Sequence, residues 1–217
     1  MTDLAMELTN TRVRKWGRLK LGLSLYGASG IAVPDTASEL FDAATHKPKP
    51  VPTGVRELGY ITTAGVTDTK SVSSTNTTML QSIFPVRTDF EGIEKTMAAV
   101  FGESNAWTNA LYHGAKWDTW PTDKDAAWLY SDGDDSAFDA DYVLWLHGVD
   151  GVGSQAIYRA EVGHRVRITS IESRTMNRSD AEGFGFTFAL LRDDVTGLVH
   201  TRGQDGPGYA THLTVGP

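Results

Sequence analysis

Short apolar runs that alternate with polar residues recur along most of the chain. In Leu19–Val33 four leucines alternate with Lys20, Gly22 and Ser24, which predicts a half-buried strand or a broken strand pair. Val166 and Ile168 alternate with polar residues in the same way. Further strands are predicted at Glu57–Thr63, Met79–Phe90, Tyr142–His147, Ala156–Arg159, Val166–Ser173, Phe184–Leu191 and, as an edge strand, Ala210–Val215.

Two of these regions carry mixed signals. Ile93–Phe101 fits both a helical spacing and a near-alternation, so both interpretations stay open. Pro85 lies inside the Met79–Phe90 run and indicates an edge, a bulge or a bend there. The Asp193–Gly197 sequence DDVTG predicts a turn.

Two polar stretches interrupt the predicted strands. Residues 34–56 are predicted as a loop, because Pro34–Gly54 carries four prolines, with one short helical turn around Ser38–Ala44. Residues 64–78 are small and polar and are predicted as a loop or hairpin tip. Roughly seven or eight strands separated by turns favour a mainly β fold, a β-sandwich or barrel, with residues 1–217 forming a single domain.

Composition removes several classes of function. The chain has 217 residues, 40% of them hydrophobic, which is enough for a substantial core. No cysteine is present, which excludes disulfide scaffolds, thiolate metal sites and cysteine nucleophiles. The formal net charge of -7 and the lack of a basic block disfavour a sequence-reading nucleic-acid binder. No apolar run is long enough to predict a membrane span or a signal peptide.

Candidate catalytic motifs are weak, and we expect neither an enzyme nor a cofactor or metal site. The scattered histidines form no close metal-ligand pair, and a nucleophile elbow around Ser29 fails because Ile31 stands where glycine is needed. Gly151–Ala156 matches GxGxxA with Glu172 about 20 residues on. The β-rich sequence that follows favours a hairpin turn over a nucleotide site. The six histidines are His46, His113, His147, His164, His200 and His212.

Aromatic residues support an alternative of another class. Tryptophans could act as sugar-stacking platforms in a carbohydrate-binding or hydrolytic β-sandwich protein, although aromatics in such folds more often belong to cores or interfaces. The five concerned are Trp107, Trp117, Trp120, Trp128 and Trp145. A charge run accompanies them, with eight aspartates and one lysine between Asp118 and Asp141, and its plain interpretation is a solvated acidic loop.

The order of several short motifs resembles that of one family. These motifs are YGASGIAVP (Tyr26–Pro34), ELGYITTAGVT (Glu57–Thr67), QSIFPVR (Gln81–Arg87), Glu103–Asn105, IYRAEVGHRVRITSIES, FTFALLRDD and Val195–Gly197. In this order they resemble the major tail (tail tube) proteins of long non-contractile-tailed bacteriophages, most closely those of actinobacterial phages. The likeness runs from about Leu23 to Gly197 and consists of packing and turn signatures. Two parts depart from it: residues 1–18, interpreted as an N-terminal arm, and residues 113–141, interpreted as a long inserted loop.

The resemblance implies a structural virion protein whose hexameric rings stack into the tail tube, the conduit for DNA ejection. It implies self-association, with the tape measure, tail terminator and distal tail proteins as partners. Double-stranded DNA would pass without sequence-specific binding, no membrane would be involved, and the protein would reside in the virion after assembly in the host cytoplasm. A capsid decoration or tail terminator protein is a further alternative. We expect 66–78 and the N-terminal arm to contact the adjoining ring, and acidic residues to line the lumen.

Overall fold

The computed structural model describes residues 14–131, 138–179 and 181–209, which form a mainly β structure. The strands are β1 (Arg18–Leu25), β2 (Arg56–Glu57), β3 (Ile61–Thr77), β4 (Arg87–Phe101), β5 (Tyr142–Asp150), β6 (Ile157–Ile171), β7 (Phe184–Leu191) and β8 (His200–Asp205). One α-helix, α1 (Ala106–Tyr112), follows β4. Short 3-10 turns lie at Ala37–Leu40, Trp117–Thr119 and Gly153–Gln155. The mainly β prediction is confirmed.

All eight strands belong to one antiparallel sheet with the order β2-β1-β5-β6-β7-β4-β3. One edge of β6 pairs with β5, and its other edge pairs with β8 along the first half and with β7 along the second half. Successive antiparallel pairings make β3 run against β1, and Leu19 of β1 approaches Gly65 of β3. The sheet therefore curls into a partly closed barrel.

One face of the curled sheet encloses the main core. Alternate residues of β1, β4, β5, β6 and β7 point into it, as the period of two in a strand requires. Its fully buried aromatic residues are Phe101, Tyr142, Phe184, Phe186 and Phe188. The opposite face of β5 and β6 is covered by the proline-rich segment after β1, whose Phe41 packs with Trp145 and Val162. The predicted loop at 34–56 thus acts as a lid on the outer face of the sheet.

The helix α1 begins at a capping box that the sequence analysis did not recognise. The side chain of Asn105 accepts hydrogen bonds from the backbone N–H groups of Trp107 and Thr108, and the backbone N–H of Asn105 donates to Thr108 Oγ1. This reciprocal arrangement satisfies N–H groups that have no partner within the helix. The helix begins directly after Glu103–Asn105, where the resemblance implied only the end of a strand.

Several strand predictions are confirmed and some boundaries are corrected. β7 has the predicted bounds, and the ambiguous Ile93–Phe101 is strand. Two predicted strands, Ala156–Arg159 and Val166–Ser173, are parts of the single strand β6. The short helical turn covers Ala37–Leu40 only. β8 was not predicted, and the edge strand expected at Ala210–Val215 lies outside the described residues.

The largest correction concerns residues 64–78, which were predicted as a loop or hairpin tip. All but Thr78 belong to β3, a strand of 17 residues that pairs with β4 up to its last residue, Thr77. The predicted strand at Met79–Phe90 is instead mainly the connection between these strands, with Pro85 at the bend. Threonine and other β-branched residues suit a pleated strand even when no core lies beneath them, which is why a polar run can pair in this way.

The predicted acidic loop at 113–141 is partly a packed segment in the part that the structure describes. Trp120 is buried, and Arg56 lies 4.1 Å above the ring of Trp117 and donates to its carbonyl oxygen. Asp141 accepts hydrogen bonds from Arg165 and Arg167 of β6. Acidic side chains nearer the middle, Asp118, Asp123 and Asp125, are exposed as expected. Residues 132–137 lie outside the described part.

Candidate assembly interface

A long hairpin of β3 and β4 leaves the sheet as a two-stranded ribbon. β7 pairs with β4 only over residues 96–101, whereas the β3–β4 pairing continues to Thr77 and Arg87. Residues 70–94, called the arm below, therefore project beyond the body of the sheet. At about 3.4 Å per residue the ribbon is about 30 Å long. A two-stranded ribbon is marginally stable in water by itself, and packing against another surface would stabilise the arm.

One face of the arm continues the core face of the body. Residues that pair directly across two antiparallel strands lie on the same face. Along β4 this face carries the buried Phe101, Ala99 and Met97, and then, within the arm, Ile93 and Phe90. Their cross-strand partners are Val72 and Ser74, and the pair Lys70–Lys95 lies on the same face at the base of the arm. Phe90 is 63% exposed although it continues the stripe of Met97, which is 0% exposed.

The opposite face of the arm is polar and acidic. Cross-strand pairs on this face include Ser71 with Glu94 and Thr75 with Asp89. The hydroxyl of Thr75 donates to the carboxylate of Glu91, which lies at the irregularity in pairing beside Ser73. The arm is thus amphipathic: one face carries the exposed apolar side chains of Val72, Phe90 and Ile93, and the other is polar and acidic.

The tip of the arm is the most exposed apolar surface among the described residues. A hydrogen bond from the backbone N–H of Val86 to the carbonyl oxygen of Thr77 closes the hairpin. Leu80 and Ile83 are 101% and 96% exposed. The apolar tip residues are Met79, Leu80, Ile83, Phe84 and Val86. Contiguous exposed apolar residues of this size are typical of protein–protein contact sites.

An ionic network, called the root network below, lies where the arm leaves the body. Lys95 Nζ is 3.3 Å from Asp68 Oδ2 and 2.5 Å from His200 Nδ1. His200 Nε2 faces Glu161 Oε2 at 2.8 Å, and Arg159 also contacts the Glu161 carboxylate. Burial acts to raise the pKa of Glu161, but the contacts with His200 and Arg159 hold that pKa below its ordinary value. The root network joins two arm strands to β6 and β8.

The root network contains residue types that can bind a metal ion, but its hydrogen bonding does not suit a cation. Ligand atoms of Asp68, Glu161 and His200 lie within 4.8 Å of one another. A lysine ammonium group has donors only, so its contact makes His200 Nδ1 the acceptor and leaves the hydrogen on Nε2. Nε2 then has no lone pair for a cation. The sequence analysis missed this cluster because its members lie on four different strands.

The remaining candidate motifs do not form a catalytic site among the described residues. Gly151–Ala156 is the β5–β6 connection with a 3-10 turn at Gly153–Gln155, not the start of an α-helix, so the hairpin prediction is confirmed. Ser29 lies in the connection after β1. His164 is buried and its Nε2 bonds with the hydroxyl of Thr201, while His46 Nδ1 lies 3.1 Å from Asp205. His212 lies outside the described residues.

The tryptophans named for sugar stacking are mostly integrated into the packing. Trp107 and Trp120 donate from Nε1 to the backbone carbonyls of Pro121 and Ala115, and Trp145 donates to Ser24. Trp117 is half-buried under Arg56. Trp128 is 41% exposed and stacks on Tyr130 at 5.5 Å. The structure therefore does not assemble the five rings into one open platform.

The predicted turn at Asp193–Gly197 is confirmed and is fixed by its first residue. Asp193 accepts hydrogen bonds from the backbone N–H and the hydroxyl of Thr196 and from the hydroxyl of Tyr26. Burial acts to raise the pKa of Asp193, but these hydrogen bonds lower it well below its ordinary value. The turn is thereby tied to the end of β1.

Comparisons with known proteins give a structural likeness at low sequence identity. No helix in the described part of the chain has both the length and the apolar character needed to cross a membrane. No family model and no curated protein matches the chain. The chain is similar to a solved structure described as "Crystal structure of Hcp protein", with 12% sequence identity and a TM-score of 0.31. That match covers 86% of this chain and 98% of the other chain.

Proposed function

We propose that this chain is a structural, non-enzymatic subunit whose hexameric rings stack to form the tail tube of a long non-contractile-tailed phage. The arm is the element that joins one copy to the next. Its partners are other copies of the chain, the tape measure protein along the lumen, and the tail terminator and distal tail proteins at the two ends. The subunit then resides in the virion tail after assembly in the host cytoplasm.

The observation that carries this proposal is the apolar stripe shared by the body and the arm. The same face of β4 is buried over Met97–Phe101 and exposed at Ile93 and Phe90. Burial of one large apolar side chain stabilises a structure by about 1.5–3 kcal/mol, so an exposed set of this size gains most from a partner surface. Among the described residues, no part of the chain covers this face of the arm.

The position of the arm favours an open-ended assembly. It projects from the end of the barrel where Leu19 approaches Gly65, and the end of β1 at Leu25 lies at the other end of the barrel. A projection at one end that binds a different surface on the next copy makes a heterologous contact, which produces rings and filaments. In addition, β3 is the last strand of the sheet, so its outer edge is available to a strand of a neighbouring copy.

The polar face of the arm suits the lining of a DNA conduit. It carries Glu91, Glu94 and Asp89 against one nearby base, Arg87. Carboxylates repel DNA phosphates and limit adhesion during passage. The chain's net charge of -7 has the same sign. A lumen lined mainly by lysine and arginine in the assembled tube would contradict this part of the proposal.

The motifs behind the family resemblance also map onto the arm and its surroundings. Glu57–Thr67 enters β3 at the base of the hairpin, and Gln81–Arg87 forms most of the tip. The second segment therefore lies in the arm that we propose as the joint between subunits, and the first segment leads into it. Turn and packing signatures at an assembly joint are expected for a structural protein without catalytic residues.

Negative-stain electron microscopy and sedimentation velocity of the purified protein test this proposal. We expect six-fold rings and tubes for the wild type, and dispersed, folded subunits for the double variant Ile83→Ser/Phe84→Ser. Met176→Ser/Val195→Ser is the matched control, since these side chains are 73% and 89% exposed on the body. Tubes from the tip variant, or no self-association of the wild type at any concentration, would refute the proposal.

The number of rings distinguishes a tube protein from two other classes of virion protein, the tail terminator and the capsid decoration protein. A tail terminator closes the tube with a single ring, and a capsid decoration protein does not form a cylinder. Stacks of many rings from the purified chain would therefore favour the tube protein. A saturable glycan-binding site centred on Trp128, the most exposed of the five tryptophans considered, would instead favour the carbohydrate alternative.

A further inference from the structure

The root network is the side-chain connection between the arm and the body. The last residue of β4 that pairs with β7 is Thr96, and the next residue towards the arm is Lys95. Lys95 contacts His200, the first residue of β8, which pairs with Gly163 of β6. Asp68 lies opposite Met97 on β3, beside the same junction. Any change in the Lys95–His200 contact therefore acts at the point where the arm starts.

The geometry assigns one protonation state to His200. Lys95 Nζ is 2.5 Å from Nδ1, and an ammonium group can only donate, so Nδ1 carries a lone pair. The ring is then neutral, with its hydrogen on Nε2, which faces Glu161 Oε2 at 2.8 Å. The His200 and Glu161 side chains are 5% and 1% exposed, and neither facing atom makes a well-aligned hydrogen bond within the described residues.

We propose that His200 is a proton-operated latch, which holds the arm against the body when neutral and loosens it when protonated. A second hydrogen, on Nδ1, would point at the Lys95 ammonium group at 2.5 Å, where two positive charges repel each other. Glu161 would retain the protonated ring, because opposite charges attract. The broken contact is therefore the one between arm and body, and the Asp68–Lys95 ion pair shifts with it.

The charged groups around His200 do not balance the positive charge that a second proton on its ring would add. The cationic groups that face the network are Lys95 from β4, Arg159 from β6 and Arg202 from β8, which lies 3.5 Å from Asp68. The carboxylates of the network are Asp68 and Glu161, and Lys70, the cross-strand partner of Lys95, places a further cation beside it. The neighbouring His164 is buried, and burial lowers its pKa. Protonation of His200 thus adds positive charge where cations already outnumber carboxylates.

Hydrogen exchange of the dispersed subunit, corrected for the intrinsic effect of pH, tests the latch. Measurements at about pH 8 and about pH 5.5 bracket the range in which histidines ordinarily titrate. We expect backbone amides of residues 66–72 and 92–97 to exchange at least about threefold faster at the lower pH, because the arm loosens at its root. Amides in β7 report the stability of the body, so any acid response there should be the same in the wild type and in His200→Gln, whereas the additional response of the arm root should be absent from that variant.

Two variants and a control make this test specific. In His200→Gln the amide oxygen can accept from Lys95 and the amide nitrogen can donate to Glu161, so the arm should stay latched at both pH values. Lys95→Met removes the repelling charge and should also abolish the acid response. His113→Gln, in the aromatic cluster with Trp128 and Tyr130, should respond like the wild type. Equal wild-type rates at both pH values, or an acid response that persists in His200→Gln, would overturn the latch.

The effect of the latch on assembly rests on the proposed function, and it has a separate readout. If the arm must be held in place to join subunits, wild-type tubes should become rarer at the lower pH and His200→Gln tubes should not. Acid-sensitive exchange without tubes at any pH would support the latch and refute the tube. Tubes that form equally at both pH values while the arm loosens would overturn the claim that the latch regulates assembly.

Discussion

The two halves of β4 carry apolar residues on the same face and end in opposite environments. Phe101 and Met97 are buried by β7, β6 and the rest of the barrel, whereas Ile93 and Phe90, on the same face of the same strand, are more than half exposed. The pair Lys70–Lys95 interrupts the apolar stripe at the point where the pairing with β7 ends, and beyond it the stripe continues without a neighbour. The alternation therefore describes a surface that must be covered, and for the arm the cover belongs to another copy in our proposal.

The largest expected difference between the two halves is in the stability of the isolated subunit. Phe101→Ala should lower the free energy of unfolding by about 3–5 kcal/mol, because it removes a fully buried ring from the core. Phe90→Ala should change it by less than about 0.5 kcal/mol, because the ring contacts mainly water. Urea denaturation of dispersed protein measures both. Equal losses in the two variants would break the comparison.

Substitutions in the exposed half of β4 should affect assembly more than they affect the stability of the subunit. Phe90→Thr/Ile93→Thr keeps β-forming side chains but removes the apolar face of the arm. We expect the lowest concentration that supports tubes to rise at least about tenfold, since burial of each large apolar side chain stabilises a contact by about 1.5–3 kcal/mol. Pelleting assays across a concentration series give this value. A variant that assembles like the wild type would show that the apolar face is not the joint.

Acid should weaken the body through the half-buried His147 and the buried His164. Burial lowers the pKa values of His147 and His164 in the folded protein. Below the ordinary histidine pKa of about 6.5 the unfolded chain then binds more protons than the folded chain, so the free energy of unfolding falls as pH falls. The effect should be smaller than that of Phe101→Ala. It is measured by urea titrations at several pH values, and His164→Gln should flatten the dependence. An unchanged slope in that variant would contradict the assignment.

The smallest effect is expected on the polar face of the arm. Thr75→Ala removes the hydroxyl that donates to Glu91 on an exposed surface, where such bonds contribute little. Subunit stability should change by less than about 0.5 kcal/mol, and tubes should form at the wild-type concentration. Thermal unfolding and pelleting check both. Loss of assembly in this variant would mean that the two faces of the arm have been assigned the wrong way round.

The parts of the fold that sequence patterns predicted are those whose strands have a buried face. β7 was predicted with its observed bounds because Phe184, Phe186 and Phe188 alternate with small or polar residues. β6 was predicted as two strands, Ala156–Arg159 and Val166–Ser173, with Gly163 in the gap between them. That glycine lies inside the observed strand, where a Cβ would come within 2.8 Å of Val166. The glycine therefore reflects close packing and does not mark a break.

The same sequence patterns predicted neither the arm nor the root network. Residues 66–78 show no apolar alternation. Within the described residues β3 pairs with β4, and most side chains of β3 are exposed, so no core selects apolar residues there. β8 (HTRGQD) likewise has no large apolar side chain, although its His200 and Thr201 contact Glu161 and His164 of β6. A cluster of Asp68, Lys95, Glu161 and His200 depends on the strand order, which local periodicity does not contain.

The most direct test of the central claim uses one probe at the tip of the arm. The chain has no cysteine, so Phe84→Cys gives a single site for an environment-sensitive dye. Our account predicts that the emission shifts to shorter wavelength as tubes form, since the dye moves from water into the surface of a neighbouring copy. The same label at Met176→Cys, on the body, should stay unchanged. Tubes in which the Phe84→Cys label remains as exposed to water as in the dispersed subunit would contradict the account.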